Sequence, residues 1–464
     1  MQLDDKSSEN LEISSLTSIS PIDGRYFKKN RELRSLLSEY GLIKHRLIVE
    51  IKWLQYLSKD QNIVQNIDYA EVKEELKLIL DKFNIEEAEK IKIIERTTNH
   101  DVKAVEYYLK NILQAKSKLK KLSNYIHFGC TSEDINNLAY GLIISKARNS
   151  IILPSLNRLL GEMKQIAHDS AEIAMLSRTH GQAATPTTLG KEIANFCYRL
   201  EAQKRHWEKI EILGKLNGAV GNFNALVAAF PEIDWEEKCK LFIEQLGLSF
   251  NQYTTQIEPH DCIARYSNEL SLINSILIDF CQDIWTYISL NYFEQKVKED
   301  EVGSSTMPHK VNPIDFENAE GNSGVSISLL KHFGQKLVIS RLQRDLSDST
   351  VMRNLGVAIA HTYLAIISIQ TGLKKLQINK KAISEDLAEE WQLLSEPIQT
   401  VLRTHGVDNA YEKLKHFSRG KNITKEKLFH FLDSLDLPAE TISQLKALTP
   451  SSYIGLAAKL AKEI

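Results

Sequence analysis

The sequence predicts an all-α protein built on a bundle of long helices, and three observations carry that expectation. Between Pro259 and about Lys296, apolar residues recur at Ile263, Tyr266, Leu270, Ile273, Leu277, Phe280, Ile284 and Ile288. That alternation of three and four lines one face of a helix far longer than the globular average. Four further long apolar-periodic stretches run from about Glu133 to Met175, Gly190 to Leu213, Pro313 to Leu337 and Ser349 to Leu376. Strand signals are few, and neither a GxGxxG after a strand nor a GxxxxGK followed by Ser or Thr occurs, which argues against a nucleotide-binding α/β domain.

Taken in order, the elements form three blocks. Residues 1–122 are a mixed set of shorter helices rich in Lys and Glu. Here Asp23-Gly24-Arg25-Tyr26 follows Pro21, and Arg96-Thr97-Thr98-Asn99-His100-Asp101 precedes an amphipathic stretch from Val102 to Leu109. Asn99-His100-Asp101 reads equally as a helix cap with a satisfied imidazole. Residues 123–372 hold the long helices. Cys130-Thr131-Ser132-Glu133-Asp134 opens the first with N-cap residues, and Pro154 marks a kink or break in it. Ser177-Arg178-Thr179-His180-Gly181-Gln182 stands just before Thr185-Pro186, a polar cluster that reads either as chemistry-bearing or as a helix end with His180 beside a glycine. The Gly-rich run Gly218 to Asn224 is read as a short hairpin or a connection. Residues 373–464 return to short helices with turns at Gly406, Gly420 and Pro438. The long helices carry more apolar surface than one three-helix layer would bury, so self-association through them is expected.

Composition narrows the functional classes. A chain of 464 residues exceeds one compact core and implies two to four domains. Net charge is −2, from 58 basic and 60 acidic residues. There is therefore no global electrostatic case for a nucleic-acid or membrane partner. A local pocket of Arg and Lys for an anionic small molecule would not show in that total. Five scattered cysteines, without CxxC or zinc spacing, fit reduced thiols better than a disulfide framework. The acidic, polar segment Met1–Asn10 does not read as a secretory signal, and no run approaches the roughly 18 apolar residues of a membrane span. A soluble, cytoplasmic protein is expected.

The densest chemistry lies in Gly303-Ser304-Ser305-Thr306-Met307-Pro308-His309-Lys310-Val311-Asn312-Pro313, an island of small and polar residues between long helices. Loops of this kind, held between rigid elements, carry binding and catalysis. A second cluster is Arg341, Arg344, Asp345, Ser347, Asp348, Ser349, Thr350 and Arg353, which reads as an anion site or as a solvated charged turn. No cluster offers a metal-ligand arrangement, a cysteine nucleophile or a flavin or nicotinamide motif. They do offer His, Ser, Lys, Arg, Asn and Gln groups for acid–base work on an anionic substrate, with no cofactor and no metal.

These residues resemble a known family. Gly303 to Pro313 is similar to the GSSxMPxKxNP signature of the fumarase/aspartase superfamily, whose members cleave C–N or C–O bonds and release fumarate. Ser20 to Tyr26, Arg96 to Tyr107, Cys130 to Asn137, Ser177 to Gln182, Tyr253 to Asp261 and Gln343 to Asn354 resemble its bacterial adenylosuccinate lyase branch. Ala183 departs from the proline usual there, in a turn rather than at a reacting group. The resemblance implies an all-α, three-domain fold (1–122, 123–372, 373–464) whose central helices form the core of a homotetramer with active sites shared between subunits. It implies cofactor-free β-elimination of fumarate from adenylosuccinate, giving AMP, and from the ribonucleotide SAICAR, giving AICAR. It assigns the base to Ser304 and the acid to His180, with His100 by the substrate and Lys310 among the catalytic groups. Substrate binding falls to Arg25, Tyr26, Asn99, Asp101, Thr131, Ser132, Gln256, Ser305, Asn312, Asn318, Arg344, Ser349 and Arg353. Two alternatives stay open: another fumarate-releasing lyase such as argininosuccinate lyase, and a non-catalytic structural protein of the same fold.

Overall fold

The computed structural model describes residues 12–296, 307, 310–418 and 423–464. Helices account for nearly all of its regular structure. The N-terminal stretch contributes α1 (Arg34–Leu37), α2 (Glu39–Ser58), α3 (Tyr69–Asp81), α4 (Ile85–Thr98) and α5 (Asp101–Ala115). Side-chain caps start most of them: Ser38 accepts the N–H of Gly41, Asp68 those of Ala70 and Glu71, and Asn84 that of Glu87.

The long helices follow. First come α6 (Ser132–Ala147) and α7 (Leu153–Asp169), then the hairpin strands β1 (Ala174–Thr179) and β2 (Gln182–Thr188), then α8 (Leu189–Glu208). Pro154 is the second residue of α7, just past an interruption of the α-helix. A π-helical turn at Arg148–Ile152 separates α6 from α7, so the wider turn takes up the place where proline offers no N–H to its i−4 carbonyl. His180 is not at a helix end. It and Gly181 form the two-residue tip of the β1–β2 hairpin, with φ 55° and 73°. Two positive φ values match the handedness of a type I′ turn, the tightest connection compatible with strand twist. Strand alternation is weak here: the register shifts between Met175 and Ser177, and that bulge breaks the period-2 pattern.

Two two-residue strands, β3 (Leu213–Gly214) and β4 (Ser249–Phe250), pair in parallel, with α9 (Asn224–Ala229) and α10 (Trp235–Gln245) between them. Gly218 to Asn224 is a connection without strand. Gly221, at φ 83°, brings the backbone so close that a Cβ there would meet Thr254 O at 2.3 Å. Then come α11 (Asp261–Ser289), β5 (Phe293–Gln295), α12 (Ile314–Lys336), α13 (Ser347–Met352) and α14 (Leu355–Lys375), the last continuing into β6 (Leu376–Ile378), antiparallel to β5. The chain ends in α15 (Lys380–Ala388), α16 (Ser395–Thr404), α17 (Ala410–Ser418), α18 (Lys425–Asp433), α19 (Ala439–Ala447) and α20 (Ala457–Lys462).

These elements pack as two compact units, one of residues 1–155, 204–275 and 322–364, the other of 156–203, 276–321 and 365–464. In the first, α2 packs on α6, α3 and α5, burying Leu47, Ile51, Trp53, Leu54, Leu109, Ile135 and Leu138. Trp53 meets Phe242 edge-on at 5.0 Å between ring centroids. In the second, α15 packs on β1, and the C-terminal helices close a cluster of Leu394, Ile398, Leu402, Leu414, Ile423, Leu428 and Leu432. Among the described residues one helical stretch, Ser347–Lys375, is long and apolar enough by length and composition to cross a membrane, and 78% of its apolar window is buried inside the protein. Core packing accounts for that hydropathy. The five cysteines are free thiols, all buried but Cys130.

Candidate active site

A cleft of about 450 Å³ in the first unit gathers residues from α2, from the α4–α5 junction, from the start of α6 and from 344–353. Its geometry begins with caps. α4 ends at Asn99, whose left-handed backbone (φ 50°) suits an Asn C-cap. The chain then turns extended at His100, and the imidazole Nδ1 accepts the N–H of Lys103 at 3.1 Å as the N-cap of α5. With Nδ1 so occupied, Nε2 is left toward the cleft, 3.5 Å from Ser132 Oγ. The capping role and the site role foreseen for His100 are therefore compatible in one ring.

Asp101, the next residue, is the charge centre. Its Oδ2 accepts from Arg46 Nη2 at 2.7 Å and from Arg353 Nη2 at 2.9 Å, and its Oδ1 accepts the N–H of Val102 at 2.9 Å. Burial works to raise its pKa, but the Arg46 guanidinium, the Val102 N–H and Arg353 together hold the carboxyl below the usual range. Arg353 also donates to Glu39 at 3.2 Å.

At the start of α6, Thr131 and Asp134 form a reciprocal capping box. Asp134 does more than cap. Fully buried, it lies 2.9 Å from the Nζ of the equally buried Lys215 and accepts the N–H of Asn217 at 3.0 Å. This fixes the irregular 215–221 connection against the helix carrying Ser132. Arg344 donates to Ser349 Oγ at 2.9 Å and to Gln256 Oε1 at 3.3 Å, and its Nη2 lies 3.0 Å from Glu133 Oε1. Gln256 in turn donates to Ala219 O at 3.1 Å.

Asn99, His100, Asp101, Ser132, Arg344, Ser349 and Arg353 thus line one cleft, with Thr131 and Gln256 bonded to its walls. Arg25 and Tyr26 lie in the turn at 21–30, outside that lining. The other candidates belong to the second unit. His180 is exposed at the hairpin tip. The hairpin is braced by Arg178, which donates to Tyr292 Oη at 2.9 Å and to Asp386 Oδ2 at 2.6 Å. Lys310 is exposed, and its N–H donates to Met307 O at 3.0 Å. Asn312 precedes α12, and Asn318, within α12, accepts from Ser368 Oγ at 2.9 Å. Ser304 and Ser305, with most of the signature loop, lie outside the described residues.

Cleft-lining residues missed from sequence include Arg46, Asn136 and Tyr140. The available signal was a run of polar groups where α2 and α6 turn inward, as with Arg46 and Glu50 among Ile43, Leu47 and Leu54. Charged residues at core-facing positions are rarely buried unless paired.

Comparison with known proteins bears on this arrangement. The profile of the family described as Lyase matches residues 24–327, and that described as Adenylosuccinate lyase C-terminal matches residues 340–454. An adenylosuccinate lyase of Legionella pneumophila (strain Corby) is 53% identical over 452 residues, covering 97% of this chain and 99% of that protein. The chain belongs to the adenylosuccinate lyase family. A further member, from Escherichia coli (strain K12), is 50% identical over 455 residues, with 98% and 100% covered. Beyond the family, the fold recurs in a fumarate lyase from Mesorhizobium sp. BNC1, with TM-score 0.75 and 16% identity over 93% of this chain and 96% of that one. It recurs again in a 3-carboxy-cis,cis-muconate lactonizing enzyme from Pseudomonas putida, with TM-score 0.72 and 18% identity over 93% and 95%. Those two likenesses are of fold alone.

Proposed function

We propose that the protein cleaves adenylosuccinate to AMP and fumarate, and SAICAR to AICAR and fumarate, by β-elimination without a cofactor. The observation that carries this reading is identity near one half to adenylosuccinate lyases over essentially the whole chain. The cationic and hydroxyl groups gathered at Arg344, Ser349 and Arg353 support it, because a nucleotide phosphate needs such donors.

The chemistry sets the roles. A proton must leave a carbon beside a carboxylate, a poor acid, and the charge that develops flows into that carboxylate. Donors fixed there stabilise the carbanion-like state, and Lys310 and Asn312 are assigned this task. Ser304 takes the proton and Ser305 binds substrate. A lone serine is a weak base, so closure of its loop, exclusion of water and a nearby cation are required. His180 protonates the leaving nitrogen, and His100 orients the substrate. Thr131, Ser132 and Gln256 hold the succinyl carboxylates and neighbouring groups. Arg25, Tyr26, Arg344, Ser349 and Arg353 hold the nucleotide portion, whose remote binding energy orders the site. Asn99, Asp101 and Asn318 complete it. In the same proposal the protein is a cytoplasmic homotetramer with sites assembled from several subunits, and its chain divides at about 122 and 372.

The deciding experiment follows fumarate release from adenylosuccinate, with argininosuccinate and aspartate as parallel substrates. Turnover confined to the latter two would overturn the reading. Ser304→Ala and His180→Ala should each lose turnover by several orders of magnitude while still binding substrate, as expected of groups acting in the transition state. Near-normal activity of Ser304→Ala would put the base elsewhere.

A further inference from the structure

Two arginines meet at Asp101, and they are not alike. The Arg46 side chain is 3% exposed, deep on α2, whereas that of Arg353 is 44% exposed at the mouth of the cleft. Both reach the same oxygen, Oδ2, at 2.7 and 2.9 Å. Arg353 is also held from its other side by Glu39. Arg46 is anchored inward: its Nε donates to Asn136 Oδ1 at 2.8 Å, and Asn136 Nδ2 donates to Glu133 Oε1 at 2.9 Å. That same Oε1 lies 3.0 Å from Arg344 Nη2. The remaining nitrogen of Arg46, Nη1, is buried without a hydrogen-bond partner.

An anionic substrate group can recruit the exposed Arg353 only by drawing it from Asp101 and Glu39. A half-buried carboxylate that lost its last cation would carry a desolvation cost and would pull the arginine back. Arg46 removes that obstacle, because it stays on Asp101 whatever Arg353 does. We propose that Arg46 is the fixed counter-charge of the cleft, a positioning residue that keeps Asp101 ionised and in place while Arg353 turns to the substrate. Through Asn136 and Glu133 it also ties that event to the orientation of Arg344. The inference rests on the adenylosuccinate reading above. Nothing in the sequence resemblance assigned a role to Arg46, Asn136 or Glu133.

The test is steady-state kinetics on adenylosuccinate with Arg46→Gln, Arg46→Lys and the double variant Arg46→Gln/Glu39→Gln. Arg46→Gln should raise KM roughly 10- to 100-fold, with kcat held within about threefold, because Arg353 becomes the only cation left on Asp101. Adding Glu39→Gln loosens Arg353 from its other side and should recover much of that KM. Arg46→Lys keeps the charge without the Asn136 contact and should fall between. A merely structural arginine would lower activity in all three, with no recovery from a second substitution. Should Arg46→Gln fail to fold by circular dichroism, Arg46→Lys must still raise KM and Glu39→Gln alone must lower it, and no change in either overturns the role. An inactive wild type overturns the substrate reading. An active wild type with an unchanged KM in Arg46→Gln, or with no recovery in the double variant, overturns the role of Arg46.

Discussion

Lys215 and Asp134 show how much of the site depends on groups that never reach solvent. The ammonium lies 2.9 Å from the carboxylate and also donates to Gly218 O at 2.8 Å and Gln256 O at 2.7 Å, so it joins α6 to the 215–221 connection and to Gln256, whose side chain bonds Arg344 of the cleft. Removing one partner of such a pair strands the other in a low dielectric, and the usual cost is about 3–5 kcal/mol. Lys215→Met should therefore lower the unfolding free energy by about that amount in denaturant titrations. It should also weaken substrate binding through Gln256 and the 218–221 connection. A loss below about 1 kcal/mol would show that the pair is dispensable. At this scale the sequence was legible where a residue's role is local. The N-cap residues that open α6 at Thr131 follow from residue type and spacing, and a cap at Asn99-His100-Asp101 was one of two readings left open. Lys215 was not legible, since a lysine between polar residues announces nothing about a carboxylate far along the chain. Arg46 was hidden for the same reason.

Single helices carry opposed responses to pH. On α2, His45 is buried and its pKa is pushed down to about 4, chiefly by desolvation, which outweighs its bond to Gly41 O and is reinforced by Lys146 and Lys44. One helical turn on, Glu50 faces His127 at 2.6 Å. Burial would lower the His127 pKa, but Glu50, with Glu106 and Asp134, raises it above 6.5. The signs follow from linkage. The depressed His45 contributes stability that is complete above pH 6.5 and is lost as pH falls toward about 4, on the order of 3 kcal/mol in all. The raised His127 contributes stability that is complete below pH 6.5 and is lost as pH rises through its folded value. The destabilisation caused by His127→Gln should thus be largest below pH 6.5 and shrink on the alkaline side, as read by thermal melts across pH. A penalty growing with pH would refute the pairing. Elements were legible where periodicity is long. The apolar alternation foretold α11 from Asp261 to Ser289 within a few residues at its start. The β1–β2 hairpin was not legible, because a bulge, two adjacent alanines and a polar tip erase strand alternation.

The whole molecule presents apolar side chains that its own packing leaves uncovered. On α11 Leu272 and Trp285 are 44% and 46% exposed, and on α12 Val325 is 47% exposed. Both helices come from stretches whose sequence already carried surplus apolar surface. Under the proposed tetramer these faces lie against other subunits. Leu272→Glu should then shift the sedimentation or light-scattering mass to a smaller species and reduce turnover in step with it. Retention of both mass and full activity would contradict sites shared between subunits. A partner geometry was not legible in the sequence, because a periodic apolar face states how much must be covered and not by what. The hairpin tip has a consequence of another kind. Surface turns are where proteins ordinarily absorb insertions and deletions, yet a connection of two left-handed residues has no slack: one added residue changes the turn class and re-aims both strands. The His180 imidazole is therefore tied to a loop whose length is closed to variation. A lineage can change what surrounds that side chain, but it cannot lengthen the arm that holds it.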